Sequence, residues 1–179
     1  MTESEMTLGR DWEWQPIVGW LASEKLDGCR AYWCGNSLWT RSGRVIHAPA
    51  WFTAGLPCEP LDGEVWAGYG QFQASRDAVN HGRWPPNVRF AVFDAVGATG
   101  NWLARMDRAR GLVANAAMAF TVRPHIIASN AQLASMMERI IGRGGEGVVL
   151  RNPKVRNYET GRTSNLLKLK FVPHEFLFN

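Results

Sequence analysis

The stretch Ser23-Glu24-Lys25-Leu26-Asp27-Gly28-Cys29-Arg30 decides both the fold and the chemistry predicted for this chain. Apolar runs lie before it at 17–22 and after it at 29–33, and both have the composition of β-strands. Asp27-Gly28 between two strands predicts a tight turn, which leaves Lys25 at a strand end. A lysine fixed there among other cations can lose its proton and act as a nucleophile. The alternative is an ordinary hairpin that carries a surface lysine.

Further motifs follow this stretch in order along the chain. They are Leu61-Asp62-Gly63-Glu64, Phe90-Ala91-Val92-Phe93-Asp94, Glu146-Gly147-Val148-Val149-Leu150-Arg151 and Leu167-Lys168-Leu169-Lys170. The first stretch resembles the K-x-D-G-x-R motif of covalent nucleotidyltransferases, which are DNA ligases, RNA ligases and mRNA capping enzymes. The later motifs resemble the remaining motifs of that family. Together with Arg41-Ser42-Gly43, the sequences of these motifs are most similar to those of the adenylation domain of ATP-dependent DNA ligases of the small bacterial and phage type.

Composition and charge favour one folded domain with an anionic partner. The chain has 179 residues, 46% of them hydrophobic, and a net charge of +4. Residues 1–24 carry five acidic and one basic side chain. Residues 25–141 carry eight acidic and twelve basic side chains, and residues 142–179 carry three acidic and seven basic side chains. The basic excess therefore begins at Lys25 and is densest around the last motifs. It suits a nucleotide phosphate or a nucleic acid.

Membrane, secreted and zinc-binding classes are not indicated. No apolar run approaches the ~18 residues of a membrane span, so we expect no membrane partner. The acidic N-terminus lacks the apolar segment of a signal peptide. The cysteines, Cys29, Cys34 and Cys58, form no C-x-x-C. An odd number of cysteines without a signal peptide predicts reduced thiols and a cytoplasmic location.

The apolar pattern predicts an α+β fold. Strands are expected at 17–25, 29–34, 37–41, 61–67, 88–93, 120–128, 148–151 and 166–171, and apolar helical stripes at 102–117 and 133–141. Residues 1–13 are interpreted as a loose acidic N-terminal arm and residues 14–179 as the adenylation domain. The resemblance implies two mainly antiparallel sheets flanked by helices around an ATP cleft. The fold implied by the resemblance is the ATP-grasp-like nucleotidyltransferase fold of DNA ligases.

The resemblance assigns the central chemistry to three lysines. Lys25 would attack the α-phosphate of ATP, expel pyrophosphate and hold AMP as a phosphoramidate. Lys168 and Lys170 are two residues apart on a predicted strand, so they point to the same face. From there they would lower the pKa of Lys25 and hold the α-phosphate, which is their role in the family.

The nucleotide's other contacts are also carried over from the resemblance. Glu64 would contact the ribose hydroxyls and Ser23 the edge of the base. Phe93 would stack on the adenine, although a place in the core is the alternative. Glu146 would help hold Mg²⁺, which neutralises charge during phosphoryl transfer.

Two arginines match residues that reach phosphate in ligase complexes. Arg30 is expected to bind the nucleotide and Arg41 a nucleic-acid phosphate, because a planar guanidinium suits both. Asp27 is expected to order the turn and Arg30, whereas Asp62 and Asp94 receive no role.

The resemblance ends at Lys170, nine residues before the end of the sequence. DNA ligases of this family continue into an OB-fold domain, and nine residues cannot form its five strands. Phe171 also stands where ligases usually have proline. We therefore expect a chain without its OB-fold domain, which binds ATP and adenylates slowly. It would seal nicked double-stranded DNA poorly unless a separate OB-fold partner contributes.

Two other functions remain open at this point. One is a catalytically impaired nucleotide-binding module or relic, which keeps the pocket but lacks turnover. The other is an RNA ligase or mRNA capping guanylyltransferase, because capping enzymes share the K-x-D-G motif. Covalent labelling with ATP and, separately, with GTP distinguishes these functions.

Overall fold

The computed structural model describes residues 6–170, which form two β-sheets with helices packed against them. The strands are β1 Thr7–Asp11, β2 Leu21–Lys25, β3 Cys29–Trp33, β4 Leu38–Thr40, β5 Val45–Ile46, β6 Leu61–Trp66, β7 Arg89–Ala95, β8 Ala119–Thr121, β9 His125–Ile126, β10 Gly147–Arg151 and β11 Gly161–Lys170. The helices are α1 Ala50–Thr53, α2 Phe72–His81, α3 Trp102–Leu112 and α4 Asn130–Ile141. Within the described residues, no helix is long and apolar enough to cross a membrane.

The two sheets are mainly antiparallel, as predicted. The first has the strand order β1-β11-β10-β2-β9 and the second β5-β4-β3-β6-β7-β8. Only the pairs β1/β11 and β7/β8 are parallel among the described strands. The α+β class and the two-sheet architecture are therefore confirmed.

Lys25 ends a strand as predicted, but Asp27-Gly28 does not form a tight turn between paired strands, and the alternative of a surface hairpin is wrong. β2 pairs with β10 and β9 in the first sheet, whereas β3 pairs with β4 and β6 in the second. The segment between them crosses from one sheet to the other, and Leu26 is buried in an apolar cluster that includes residues of both sheets. Lys25 therefore stands where the two sheets diverge, rather than on a surface hairpin.

The N-terminal segment also differs from the prediction. Thr7–Asp11 forms β1 at the edge of the first sheet, and Met6 is completely buried. Residues 6–13 are therefore not a loose arm, because the backbone of β1 pairs with β11 despite the acidic composition of the segment. Residues 1–5 lie outside the described residues.

The helices follow their predicted apolar stripes. Leu133, Met136 and Ile140 of α4 are buried against the first sheet, so the methionines of this helix belong to the core as expected. Helix α3 ends at Leu112, before the predicted limit at 117.

The strand predicted at 120–128 is divided. Its two parts are β8, in the second sheet, and β9, in the first. Pro124 stands between them. Proline has no backbone N–H to donate to a ladder, so it favours a strand end.

Candidate active site

A cleft of about 270 Å³ is bordered by side chains of both sheets. Most of the predicted site residues line it, namely Ser23, Lys25, Arg30, Arg41, Glu64, Phe93, Lys168 and Lys170. Glu146 joins the group through contacts with two of these lysines. Residues separated by as many as 147 positions in the sequence therefore meet at one place.

Strand register explains why two lysines converge. Gly147 of β10 lies opposite Lys25 of β2 on one side and opposite Lys170 of β11 on the other. Its φ is +156°, and a Cβ there would overlap the Leu169 carbonyl oxygen, so only glycine fits. Strand β10 therefore aligns Lys25 of β2 with Lys170 of β11, and both lysines lie beside Glu146.

Glu146 forms ion pairs with both lysines. Its Oε2 accepts a hydrogen bond from Lys25 Nζ at 2.5 Å, and its Oε1 lies 3.0 Å from Lys170 Nζ. Burial raises the pKa of Glu146, but the hydrogen bonds and charges of the two lysines outweigh it and hold the pKa below its usual value. The same contact raises the pKa of Lys170.

The predicted cluster of cations therefore contains a carboxylate. Lys168 is not part of the Glu146 pair and lies 3.2 Å from Asp11 Oδ1 on β1. Sequence reasoning placed Asp11 in the N-terminal arm, so this partner was missed.

Arg30 is fixed by Asp62 rather than by Asp27. Its Nε and Nη2 donate to the two Asp62 oxygens at 2.9 and 2.5 Å, and Nη1 donates to the Thr7 carbonyl at 2.8 Å. Tyr158 adds a hydrogen bond to Asp62 Oδ2 at 2.5 Å. Asp62 is fully buried, and a bidentate pair of this kind sets the plane of the guanidinium.

Glu64 lies beside Arg30 in the register of β3 and β6. Its Oε1 accepts a hydrogen bond from the Gly28 backbone N–H at 3.2 Å, which ties the 26–28 crossing to the second sheet. Burial raises the pKa of Glu64 to about 7, although the charges of Lys25 and Arg30 oppose the rise. Gly28 is required here because a Cβ would lie 2.5 Å from the Val65 carbonyl oxygen.

Phe93 lies on the wall of the cleft and is half-buried, so it is not a simple core residue. The guanidinium carbon of Arg30 lies 5.0 Å from the centre of its ring, a cation–π distance. On β2, Ser23 is buried and points into the same cleft. The structure thus places an aromatic ring, a hydroxyl and a carboxylate around one volume.

Comparison with known proteins adds direct evidence of family. No protein-family model matches the chain. A structure from a structure–function study of Lig E DNA ligases, described as binding DNA with a minimal scaffold, is 33% identical with a TM-score of 0.83. The match covers 93% of this chain and 68% of that one. The chain belongs to the DNA ligase family.

Two further matches are similar in sequence or in fold. The curated DNA ligase of Haemophilus influenzae is 33% identical over 171 residues, and the chain spans 63% of its length. The Chlorella virus DNA ligase-adenylate structure has a TM-score of 0.77 at 22% identity, covering 93% of this chain and 68% of that one, which shows the shared fold. The fold described here is that of the adenylation domain of ATP-dependent DNA ligases.

Two cleft residues of this ligase domain were missed from sequence. Arg151 is buried, with its guanidinium carbon 5.7 Å from the Phe93 ring centre and 4.3 Å from that of Trp102. Burial lowers its pKa to about 10. Arg162 lies in the same wall and donates to the Gly9 carbonyl at 2.9 Å. A usable signal existed for Arg151, because Val149 and Arg151 alternate along β10 and both face the cleft.

The residues present suit a metal that arrives with a nucleotide. Among residues 6–170, no group of three or more His, Cys, Asp or Glu side chains could hold a metal ion. Mg²⁺ needs only one or two protein carboxylates when phosphate oxygens and water supply the rest of its shell. Glu146 is an ionised carboxylate beside Lys25, so its donor chemistry fits that requirement.

Proposed function

We propose that this ligase domain forms a covalent lysyl-AMP at Lys25 and transfers the AMP to the 5′-phosphate of nicked DNA. The observation that carries the proposal is the convergence of Lys25, Lys170 and Glu146 at a cleft lined by Glu64 and Phe93. Those side chains supply a nucleophile, a phosphate contact, a ribose contact and a stacking surface in one volume.

The first step exchanges one phosphorus bond for another. The Lys25 Nζ lone pair attacks the α-phosphorus of ATP, the P–N bond forms, and the bond to pyrophosphate breaks with its electron pair on the leaving oxygen. Lys25 must release a proton for this, and the Glu146 carboxylate, whose Oε2 lies 2.5 Å from Lys25 Nζ, would accept it. Mg²⁺ held at Glu146 would neutralise charge on the phosphates when it is bound.

The remaining cations are assigned to phosphate groups. Lys168 and Lys170 would hold the α-phosphate, while Arg41, exposed at the cleft, would meet the nucleic acid. Arg30 would reach the nucleotide from its Asp62 anchor. DNA repair and DNA replication both require nicks to be sealed, so we propose that the domain acts in these processes. We propose a cytoplasmic location for it.

Sealing requires more than this cleft. The chain spans 63% of the curated relative's length. Alignment of two strand ends can contribute several kcal/mol to a barrier. We propose that the 179-residue chain by itself adenylates slowly and seals poorly, and that an OB-fold domain or separate OB-fold partner improves sealing.

A nucleotide-binding module without turnover is the second candidate. The observation that favours it is the Lys25–Glu146 ion pair, because an amine held by a carboxylate at 2.5 Å must leave that contact before it can attack. This candidate keeps ATP binding but forms no covalent adduct.

Labelling with α-³²P nucleotides tests these alternatives together. We expect the chain with ATP and Mg²⁺ to carry label through denaturation and GTP to give none, because the resemblance is to ATP-dependent ligases. Label from GTP would favour a capping guanylyltransferase. Binding of ATP without label would favour the module that lacks turnover.

The raised pKa of Glu64 predicts a pH-dependent stability. Because the folded-state pKa is about 7 against an ordinary 4.5, the folded chain holds this proton more tightly than the unfolded chain does. Its contribution to stability is fully present below about pH 4.5 and is lost as pH rises through 7. As pH rises between these limits, we expect the free energy of unfolding of Glu64→Gln to increase relative to that of wild type by about 1–3 kcal/mol.

Urea unfolding at pH 4.5, 6 and 8 measures this difference. The matched control is Glu59→Gln, whose carboxylate is half-exposed and pairs with Arg108. The control should show no comparable trend. A constant difference between Glu64→Gln and wild type across the three pH values would contradict the raised pKa.

A further inference from the structure

A second cavity lies beside the nucleotide cleft and is not used by the proposed chemistry. It has a volume of about 370 Å³, within the usual range of ligand pockets, and is bordered by β2, the 120–125 segment and α4. Glu24 and Leu26 border both volumes, so β2 and the residue after it separate the cavity from the cleft. The two sites can therefore be occupied by different groups.

Four basic side chains converge on this cavity. Arg123 lies between β8 and β9, and His125 begins β9. Arg139 lies in the last turn of α4, and Arg143 follows the helix by two residues. Within residues 6–170, the side chains of Arg123 and Arg139 form no hydrogen bond or ion pair. Burial and then the charges of these two arginines lower the pKa of His125, so both act on the same imidazole. Arginines with no partner among the described residues favour an anionic ligand in such a group.

The floor of the cavity is apolar. Phe120, Met136 and Leu26 contribute to it, and Phe120 is only half-buried. Inorganic phosphate cannot pack against this apolar surface. A nucleotide has both a phosphate for the cations and a base that stacks on aromatic side chains. The combination of cations and apolar surface is therefore typical of a site for a nucleotide unit.

We propose that this cavity binds one nucleotide of a single-stranded nucleic-acid segment. The arginines hold the adjoining phosphates, and the base packs on Phe120 and its neighbours. The site goes beyond the proposed joining reaction, because it takes an unpaired nucleotide rather than the nick. It needs neither ATP nor Lys25.

Anisotropy of a 3′-fluorescein octadeoxyadenylate on the full chain tests the proposal. We expect Arg123→Gln with Arg139→Gln to weaken binding at least ~5-fold at 50 mM salt. It should also lower the salt slope by roughly 1.4, about 0.7 for each lost phosphate contact on a single strand. The charge-matched control is Arg108→Gln with Arg110→Gln on α3, because neither arginine lines the cavity and both form exposed ion pairs. Equal losses in the two double variants, or none in either, would overturn the site.

Two further probes separate the sources of phosphate. An abasic octamer with the same phosphates should bind wild type at least ~5-fold more weakly, because the stacking surface is unused. Inorganic phosphate should compete only as strongly as chloride at equal ionic strength. An abasic strand that binds equally well, or phosphate that competes at oligonucleotide concentrations, would refute a nucleotide site. Covalent labelling with ATP should be unchanged in the Arg123/Arg139 variant. Refutation of the nucleotide site would therefore leave the proposed role of Lys25 untouched.

Discussion

Replacing Lys25 with alanine is expected to reduce covalent AMP attachment below detection while leaving the fold intact. The side chain supplies the nitrogen of the phosphoramidate, and alanine has no atom that can replace it. Lys25 is partly exposed, with 21% of its side chain accessible, and Glu146 keeps Lys170 as a partner after the change. The variant therefore leaves no buried carboxylate without a cation.

Lys25→Arg is the sharper variant for the same question. Arginine keeps a positive charge beside Glu146, but its guanidinium stays protonated and does not attack. Both variants should lose label from α-³²P ATP, whereas Lys154→Ala, an exposed lysine outside the cleft, should keep it. Label retained by Lys25→Ala at the wild-type level would show that another residue is the nucleophile.

The positions of the strands along the sequence could be predicted more closely than the pairing between strands. Alternation and apolar content placed β6, β7 and β10 within about two residues, because each strand's pattern is local. Pairing is not local, since β2 joins a strand more than 120 residues later and β3 joins a different sheet. The Asp27-Gly28 turn was consistent with a hairpin, and only those distant partners decide against one.

The site was predicted through its motifs rather than through its contacts. The motifs identified Lys25, Glu146 and Lys170, but the shared ion pair depends on Gly147 lying opposite both lysines. Asp62 was given no role because its partner, Arg30, is 32 residues away on a neighbouring strand. Contacts of this kind follow from register, which a single sequence does not specify.

Replacing Glu146 with glutamine is expected to lower the rate of adenylation about 10²-fold or more. The change is nearly isosteric but removes the negative charge that Lys25 and Lys170 share. Two ammonium groups would then face one neutral amide, and the proposed Mg²⁺ contact would lose its charge. Loss of one preorganised electrostatic contact often has an effect of this size.

Single-turnover AMP attachment, measured at saturating ATP across a Mg²⁺ titration, separates the two roles of Glu146. Loss of the metal contact should shift the Mg²⁺ midpoint upward, whereas loss of the lysine contact should lower the plateau rate. Asp11→Asn is the matched control, because it removes the carboxylate partner of Lys168 at a site where that carboxylate is 77% exposed. Exposed pairs contribute little, so we expect less than about a 3-fold change in the control. A Glu146→Gln variant with an unchanged rate and midpoint would exclude Glu146 from both roles.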